Sequence, residues 1–446
     1  MKLLHFIRHI VFIMLVFTFA LSIVPGTVLS VSAKTKTKTY TVQTKGKTDI
    51  TAQLQKELDR ARKGKSKTVY KIIIPAGTYK ISKQLKLYSN THISMKNVTL
   101  IRNFSSADDK NRHSMVRLKR LTAEWNAVKG YEKYKGARNI TFEGGVWDCS
   151  AVDGAQIIRI GHAQDLKFKN VIFTNVKNAH HMELAACKNV EFTGCTFSNF
   201  SGSWESNSNY EALQFDIMRS EHFPTYASYD ETPCRNITVK NCTFEKLQRG
   251  IGSHSAVAGS YFKEINIKKC RFSDITGYAV TAFNYIDSEI SGNTITNCGA
   301  GIYFCTMSSI NKNMYAPITK SKFSVKKDTN SVIKNNAIII KETDYQKTNY
   351  GIALYGKNVK KIINVKDPTG PYYIPKGDYR VGGVTVKGNM IILNCEGYGI
   401  TLRGARNSII TGNIIGLSYK GAKEDNGIHE KGNTEIQTTK NRIIVK

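Results

Sequence analysis

The feature that most constrains this chain is a repeated pair of short apolar strands. KNVTLIRN at Lys96, RNITFEGGVWDCS at Arg138, QDLKFKNVIFTNV at Gln164, KNVEFTGCTFSNF at Lys188, RNITVKNCTFEKL at Arg235 and KEINIKKCRFSDI at Lys263 share one pattern. It returns in SEISGNTITNC, NSVIKNNAIII, VTVKGNMIIL, NSIITGNIIG and EIQTTKNRIIV. Each segment alternates apolar and polar residues, which is the period of a strand, and Gly, Asn or Cys joins its halves. A third alternating segment lies between repeats: HHMELAA, YEALQFD, RGIGSHS, YAVTAFN, AGIYFCT, YGIALYG and YGITLRG. Three short strands per repeat, at a minimum spacing of about 22–24 residues, predict a coil of stacked parallel strands. No repeat carries a helical 3.6-residue period, which excludes leucine-rich and ankyrin-type arrays. The predicted fold is all-β: a right-handed, single-stranded parallel β-helix with three strands per rung. A solenoid grows by stacking, so the chain length of 446 residues requires no domain break.

Three segments precede the repeats. Lys2 and Arg8 lead into an apolar run from Ile10 to Val24, and Val31-Ser32-Ala33 offers small residues for cleavage. Residues 1–33 therefore read as an export signal; the run is shorter than the roughly 20 residues of a spanning helix. Residues 34–48 read as a basic, low-complexity, flexible linker. The β-helix domain is placed at 49–446. Near its start, Ile50, Leu54, Leu58 and Ala61 share one helical face, with Thr48 or Asp49 as cap. This helix is expected to cover the first open edge of the solenoid. The expected location is secreted or cell-surface associated, without stable membrane insertion after signal cleavage.

The charge is +31, from 65 Lys plus Arg against 34 Asp plus Glu. Outside a cell, such a surface favours acidic partners: a uronate polysaccharide or another cell-wall polymer. Export and the lack of a nucleic-acid module exclude nucleic acid as the expected partner. The nine cysteines show no CxxC pairing of metal-site type. Cys195, Cys242 and Cys270 recur at one repeat position, followed there by Asn293, Asn389 and Asn413, as an internal ladder. Cys187 and Cys234 also match one another, and a disulfide between them stays open.

The stretch from Tyr210 to His254 breaks the repeat. It adds a polar, aromatic insertion and loads its strands with Glu211, Gln214, Asp216, Arg249 and His254. In the third strand Met182, Leu184, Leu213, Phe215, Ile251 and Val280 face inward, so their neighbours face outward. One outward column reads Arg159, Glu183, Gln214, Gly252, Thr281, Tyr303; the next contains Asp216 and His254, expected at hydrogen-bond range. His180, Glu211, Arg249 and Tyr278 align at the strand entrance, with His181 alongside. The candidate catalytic set is Asp216, Glu183, Glu211 and His254. Asp216 and one glutamate would be the acid/base pair for glycosidic cleavage. The candidate substrate-binding set is Arg159, Gln214, Arg249, His181, Tyr278, Trp204 and Tyr226; the arginines suit a carboxylate and the loop aromatics suit a sugar face. The alternative is that Glu211 with Arg249, and Asp216 with His254, are only cross-strand ion pairs. No metal ligands are assigned and no cofactor is expected; calcium stays open.

PAGTY, the rungs and GGVWD resemble the pectate-lyase-like superfamily, nearest the polygalacturonase-type glycoside hydrolases. That resemblance implies a carbohydrate groove on the outward third-strand sheet. The polygalacturonase catalytic motifs are not matched: the corresponding places read Asn209-Tyr210-Glu211, Gln248-Arg249 and Gly277-Tyr278-Ala279. EALQFD followed by GIGSH resembles secreted bacterial surface β-helix proteins. The expected function is cleavage or modification of an acidic polysaccharide, glycoside hydrolase-like. The alternatives are a non-catalytic polysaccharide-binding or adhesive surface protein, and a polysaccharide lyase.

Overall fold

Every rung registers in parallel on the next. In a computed structural model of the chain, the strands fall on three faces that follow the three sequence segments. One face stacks Gly77–Ile81, Val98–Arg102, Val146–Asp148 and Ile172–Lys177, and so on to Arg442–Val445, as a 12-stranded sheet. The other two faces run into one another through the long strands Gln156–Lys169 and Met182–Thr193, forming a 24-stranded sheet. The result is the predicted right-handed parallel β-helix. The structure describes residues 35–446 except 63, 65–66, 106–113, 119–131, 203–208, 221–222, 224–227, 307–313, 316–324, 326–327, 344–348, 362, 368–369 and 375. The described part from Thr37 to Lys446 is one compact unit. The export signal lies outside the described residues.

The core is a set of columns, because in-register parallel strands bring identical side chains over one another. Phe142, Phe168 and Phe192 stack at centroid separations of 5.0 and 4.5 Å. Phe173, Phe197, Phe244 and Phe272 follow at 5.0, 4.9 and 4.9 Å. Trp147 of the GGVWD segment is fully buried and edge-on to Phe142. The turn ladder is present and longer than its predicted members. Asn293, Asn336, Asn389 and Asn413 each donate Nδ2 to the Oδ1 of the next, ending at Asn441, at 2.9 Å. The cysteines precede them: the Cys195 N–H donates to Cys242 Sγ at 3.4 Å, and the Cys270 N–H donates to Asn293 Oδ1 at 2.9 Å. All nine cysteines are free and buried, including Cys187 and Cys234, whose possible disulfide is not formed. A second turn uses left-handed backbone at Asn139, Asp165, Asn189 and Asn236, residues whose short side chains tolerate it. Their side chains bond rung to rung, for example Asn236 to Asn189 at 2.8 Å.

The helix forms at Thr51–Leu58 and buries Leu54 and Leu58. The N-cap is Ile50, not the expected Thr48 or Asp49, although Asp49 Oδ1 accepts the Thr51 N–H at 2.8 Å from just outside the helix. The segment expected to be a flexible linker differs: Lys36–Thr41 is a strand bonded to Thr68–Ile73. Alternating Lys and Thr is compatible with a strand that has one neighbour, and the low-complexity reading overlooked that.

A candidate functional site covered by its own insertion

Register brings the predicted outward column together. Arg159 pairs with Glu183, Glu183 with Gln214, Gln214 with Gly252, Gly252 with Thr281, and Thr281 with Tyr303. At the entrance Glu211 pairs with Arg249. The unexpected feature is cover. Arg159 and Glu183 are each 5% exposed, Glu211 is 0%, and Asp216 and Gln214 are 1%. An outward position on a strand is not a solvent position when a loop folds over the sheet.

Over Arg159, Ala185 and Ala186 the cover comes from the insertion after Asp216. Met218 and Phe223 are fully buried against Ala185 and Ala186. The Arg159 guanidinium lies 4.3 Å over the Phe223 ring. An Arg219–Glu231 ion pair ties the insertion to itself. His162 fastens it to the segment before Arg138, with ring nitrogens 2.6 Å from Lys133 O and 3.0 Å from Ser228 O. Phe223 and Tyr229, two aromatics of the insertion, are part of this cover. Trp204, His222 and Tyr226 lie outside the described residues.

Beneath it lies a network of ions. Arg159 Nε is 2.8 Å from Glu183 Oε2. Arg249 Nη1 is 3.0 Å from Glu211 Oε1, and His254 Nδ1 is 2.9 Å from Glu211 Oε2. His180 Nδ1 lies 2.7 Å from the Glu211 backbone carbonyl, and its Nε2 lies 3.9 Å from Glu183 Oε1. His180 was aligned in sequence at the strand entrance but not assigned a site role; its contacts across three rungs give it one.

Two expectations need correction. His254 was expected beside Asp216, but the third strand of its rung, Arg249–Gly252, ends before His254. The chain then turns, and His254 bonds Glu211 instead. Asp216 Oδ1 accepts the Ile217 N–H at 2.7 Å and the Ser255 hydroxyl at 3.0 Å; Gln214 Nε2 donates to its Oδ2 at 3.0 Å. Second, His181 was expected beside the groove. It points inward, fully buried, edge-on to Phe197, with Nε2 2.8 Å from Ser198 O. It precedes Met182, so the period that turns Glu183 out applies only after the strand begins. Tyr278 is in place but buried at 3% exposure, beneath the Arg249 guanidinium at 5.0 Å. It opens an aromatic row with Tyr303 and Tyr350, at 5.4 and 6.1 Å. Tyr350 was missed, although NYGIALY aligns it.

Electrostatics favour the ionised carboxylates. Burial opposes the charge on Glu211, but His254, Arg249 and His180 outweigh it and draw its pKa down to about 2. Glu183 is likewise opposed by burial and lowered by Arg159 and His180. Burial lowers His180 and takes His181 down to about 4. Burial also opposes the His254 imidazolium, yet the Glu211 charge and hydrogen bond raise it above its ordinary value. Two surface grooves lie elsewhere. One, of about 630 Å³, is lined by Asp153, Asn175, Lys177, Phe200 and Lys246; the other, of about 540 Å³, by Asp165, Lys167, Asn189, Glu191 and Lys240.

A family model described as rhamnogalacturonase A/epimerase, pectate lyase-like, matches residues 35–303. The chain belongs to this family. Among curated proteins it is 21% identical over 260 residues to plasmin and fibronectin-binding protein A of Streptococcus pneumoniae. That match takes in 50% of this chain and 35% of the relative, so the chain spans about a third of the relative's length. Among solved structures, PfbA, a surface adhesin of Streptococcus pneumoniae, superposes with a TM-score of 0.68 at 20% identity, covering 91% of this chain and 92% of that one. A mutant tailspike of E. coli bacteriophage HK620 in complex with a pentasaccharide gives 0.51 at 12% identity, covering 89% and 63%. These likenesses establish the β-helix. Among the described residues, no helix is long and apolar enough to cross a membrane.

Proposed function

We propose that this chain is a non-catalytic, adhesive β-helix protein of the cell surface that holds an acidic polysaccharide. The observation that carries this reading is the state of Glu183 and Glu211. Each is buried in an ion pair with an arginine, and both pKa values are lowered. A general acid for glycosidic cleavage needs a carboxyl with a raised pKa and access to the leaving oxygen. These two have neither. Arg159 and Arg249 are in turn committed to internal carboxylates.

Binding then falls to the exposed basic surface. In register on one face stand Lys169, Thr193, Lys240, Lys268, Ser291, Lys334 and Lys387. Glu191 and Glu289 offset part of this row, by ion pairs to Lys240, Lys268 and Lys334. Rungs about 4.8 Å apart set cations at a spacing that suits a linear polyanion. The likeness to a chain named as a surface adhesin points the same way.

The test joins two readouts. The chain is incubated with uronate and neutral polysaccharides, and reducing ends and unsaturated-product absorbance are followed. Co-sedimentation on the same polymers is measured against salt. Salt-sensitive capture without products supports the proposal. New reducing ends or absorbance would overturn it, in favour of a hydrolase or a lyase respectively.

A further inference from the structure

His180, Glu211 and His254 come from three consecutive rungs. One ligand atom from each lies within 4.8 Å of the other two. We propose that these three side chains form a binding site for a first-row divalent cation of the zinc type, with Glu183 placed to complete it.

Three features of the cluster support this site. The first is bracing. A metal-binding histidine normally donates its other ring N–H to a carbonyl or carboxylate, which fixes the tautomer and aims the free nitrogen. His180 Nδ1 lies 2.7 Å from the Glu211 carbonyl and donates to it. That leaves its Nε2 as a lone-pair donor, 3.9 Å from Glu183 Oε1. Glu211 is held in the same manner: Oε1 accepts from Arg249 at 3.0 Å, while Oε2 faces His254 Nδ1 at 2.9 Å. Bonds of about 2.0–2.1 Å in a tetrahedral site set ligand atoms about 3.4 Å apart. Glu211 Oε2 with His254 Nδ1, at 2.9 Å, and His180 Nε2 with Glu183 Oε1, at 3.9 Å, are two pairs of candidate ligand atoms that lie near that spacing.

The second feature is charge. Glu183, Glu211 and Asp216 are three buried carboxylates on adjoining strands, against two guanidiniums, Arg159 and Arg249. A cation bound in place of the proton that His254 shares with Glu211 would keep the third carboxylate balanced, and buried charge is costly unless balanced. The third is the donor set. Two imidazoles with carboxylates suit zinc and its first-row neighbours, whereas calcium and magnesium take oxygen shells. His254, with 13% of its side chain exposed, marks the way in. Such an ion would tie together the rungs that carry the insertion; it is independent of which polymer the surface holds.

The experiment uses the full chain, dialysed against chelator. Zn²⁺ is titrated by calorimetry, and Co²⁺ is followed by its visible ligand-field bands. One equivalent should bind, with intense tetrahedral-type Co²⁺ bands and a rise in Tm. His254→Gln should weaken Zn²⁺ binding at least tenfold, while His429→Gln, on a distant rung, should not. Equal binding by His254→Gln and the wild type would overturn the site, as would wild-type protein without ligand-field bands. If His254→Gln does not fold, the wild-type Co²⁺ spectrum decides alone.

Discussion

Glu211 Oε2 and His254 Nδ1 lie 2.9 Å apart, although their residues stand on different rungs and do not pair in strand register. The bond exists because the strand Arg249–Gly252 ends two residues before His254, which frees the His254 side chain from strand register to reach Glu211. It turns a glutamate that register alone pairs only with Arg249 into the centre of a four-residue cluster.

Removing Arg249 should therefore be costly. Arg249→Ala leaves the fully buried Glu211 carboxylate with the histidines alone, and a broken buried pair costs about 3–5 kcal/mol. Replacing both partners, with Glu211→Gln and Arg249→Met, should recover much of that loss. Urea denaturation of the three proteins measures it.

Asn389→Ala should break the turn ladder at its middle. Asn389 donates to Asn413 Oδ1 and Ile333 O and accepts from Asn336 N and Nδ2. Each orphaned buried group costs about 1–3 kcal/mol, so a Tm drop of several degrees is expected by calorimetry. Asn293→Cys should cost less, since Cys270 already holds the neighbouring position.

Glu289 should matter in acid. Burial raises its pKa, but Ser291, Lys268 and Lys334 overcome this and lower it to about 2. A depressed carboxylate stabilises the fold above its unfolded pKa, and that contribution disappears as pH falls from about 4.5 towards 2. Glu289→Gln should lower Tm at pH 7 and make no difference near pH 2. The effect should stay below about 1 kcal/mol because the pair is near the surface.

Charge reversal on the lysine row should weaken polymer capture. Lys334→Glu with Lys387→Glu should cost about 0.2–1 kcal/mol per position at low salt. The difference should shrink as salt rises, because exposed charges are screened. Co-sedimentation at two ionic strengths checks it.

The sequence by itself determined the β-helix, its three faces and the columns. Alternation of period two and a fixed rung length leave little freedom over which residue stacks on which, and Glu183, Gln214 and Arg159 were legible for that reason. The Cys-to-Asn ladder was legible because its members repeat at one rung position. Tertiary structure decided what lies above the sheet. The insertion after Asp216 has no period, so nothing in it announced that Phe223 would seat beneath the Arg159 guanidinium. Nor did it announce that the outward carboxylates would be buried. His254 shows the same limit: strand register predicts neighbours only while the strand lasts, and two residues past its end a turn chose Glu211 over Asp216.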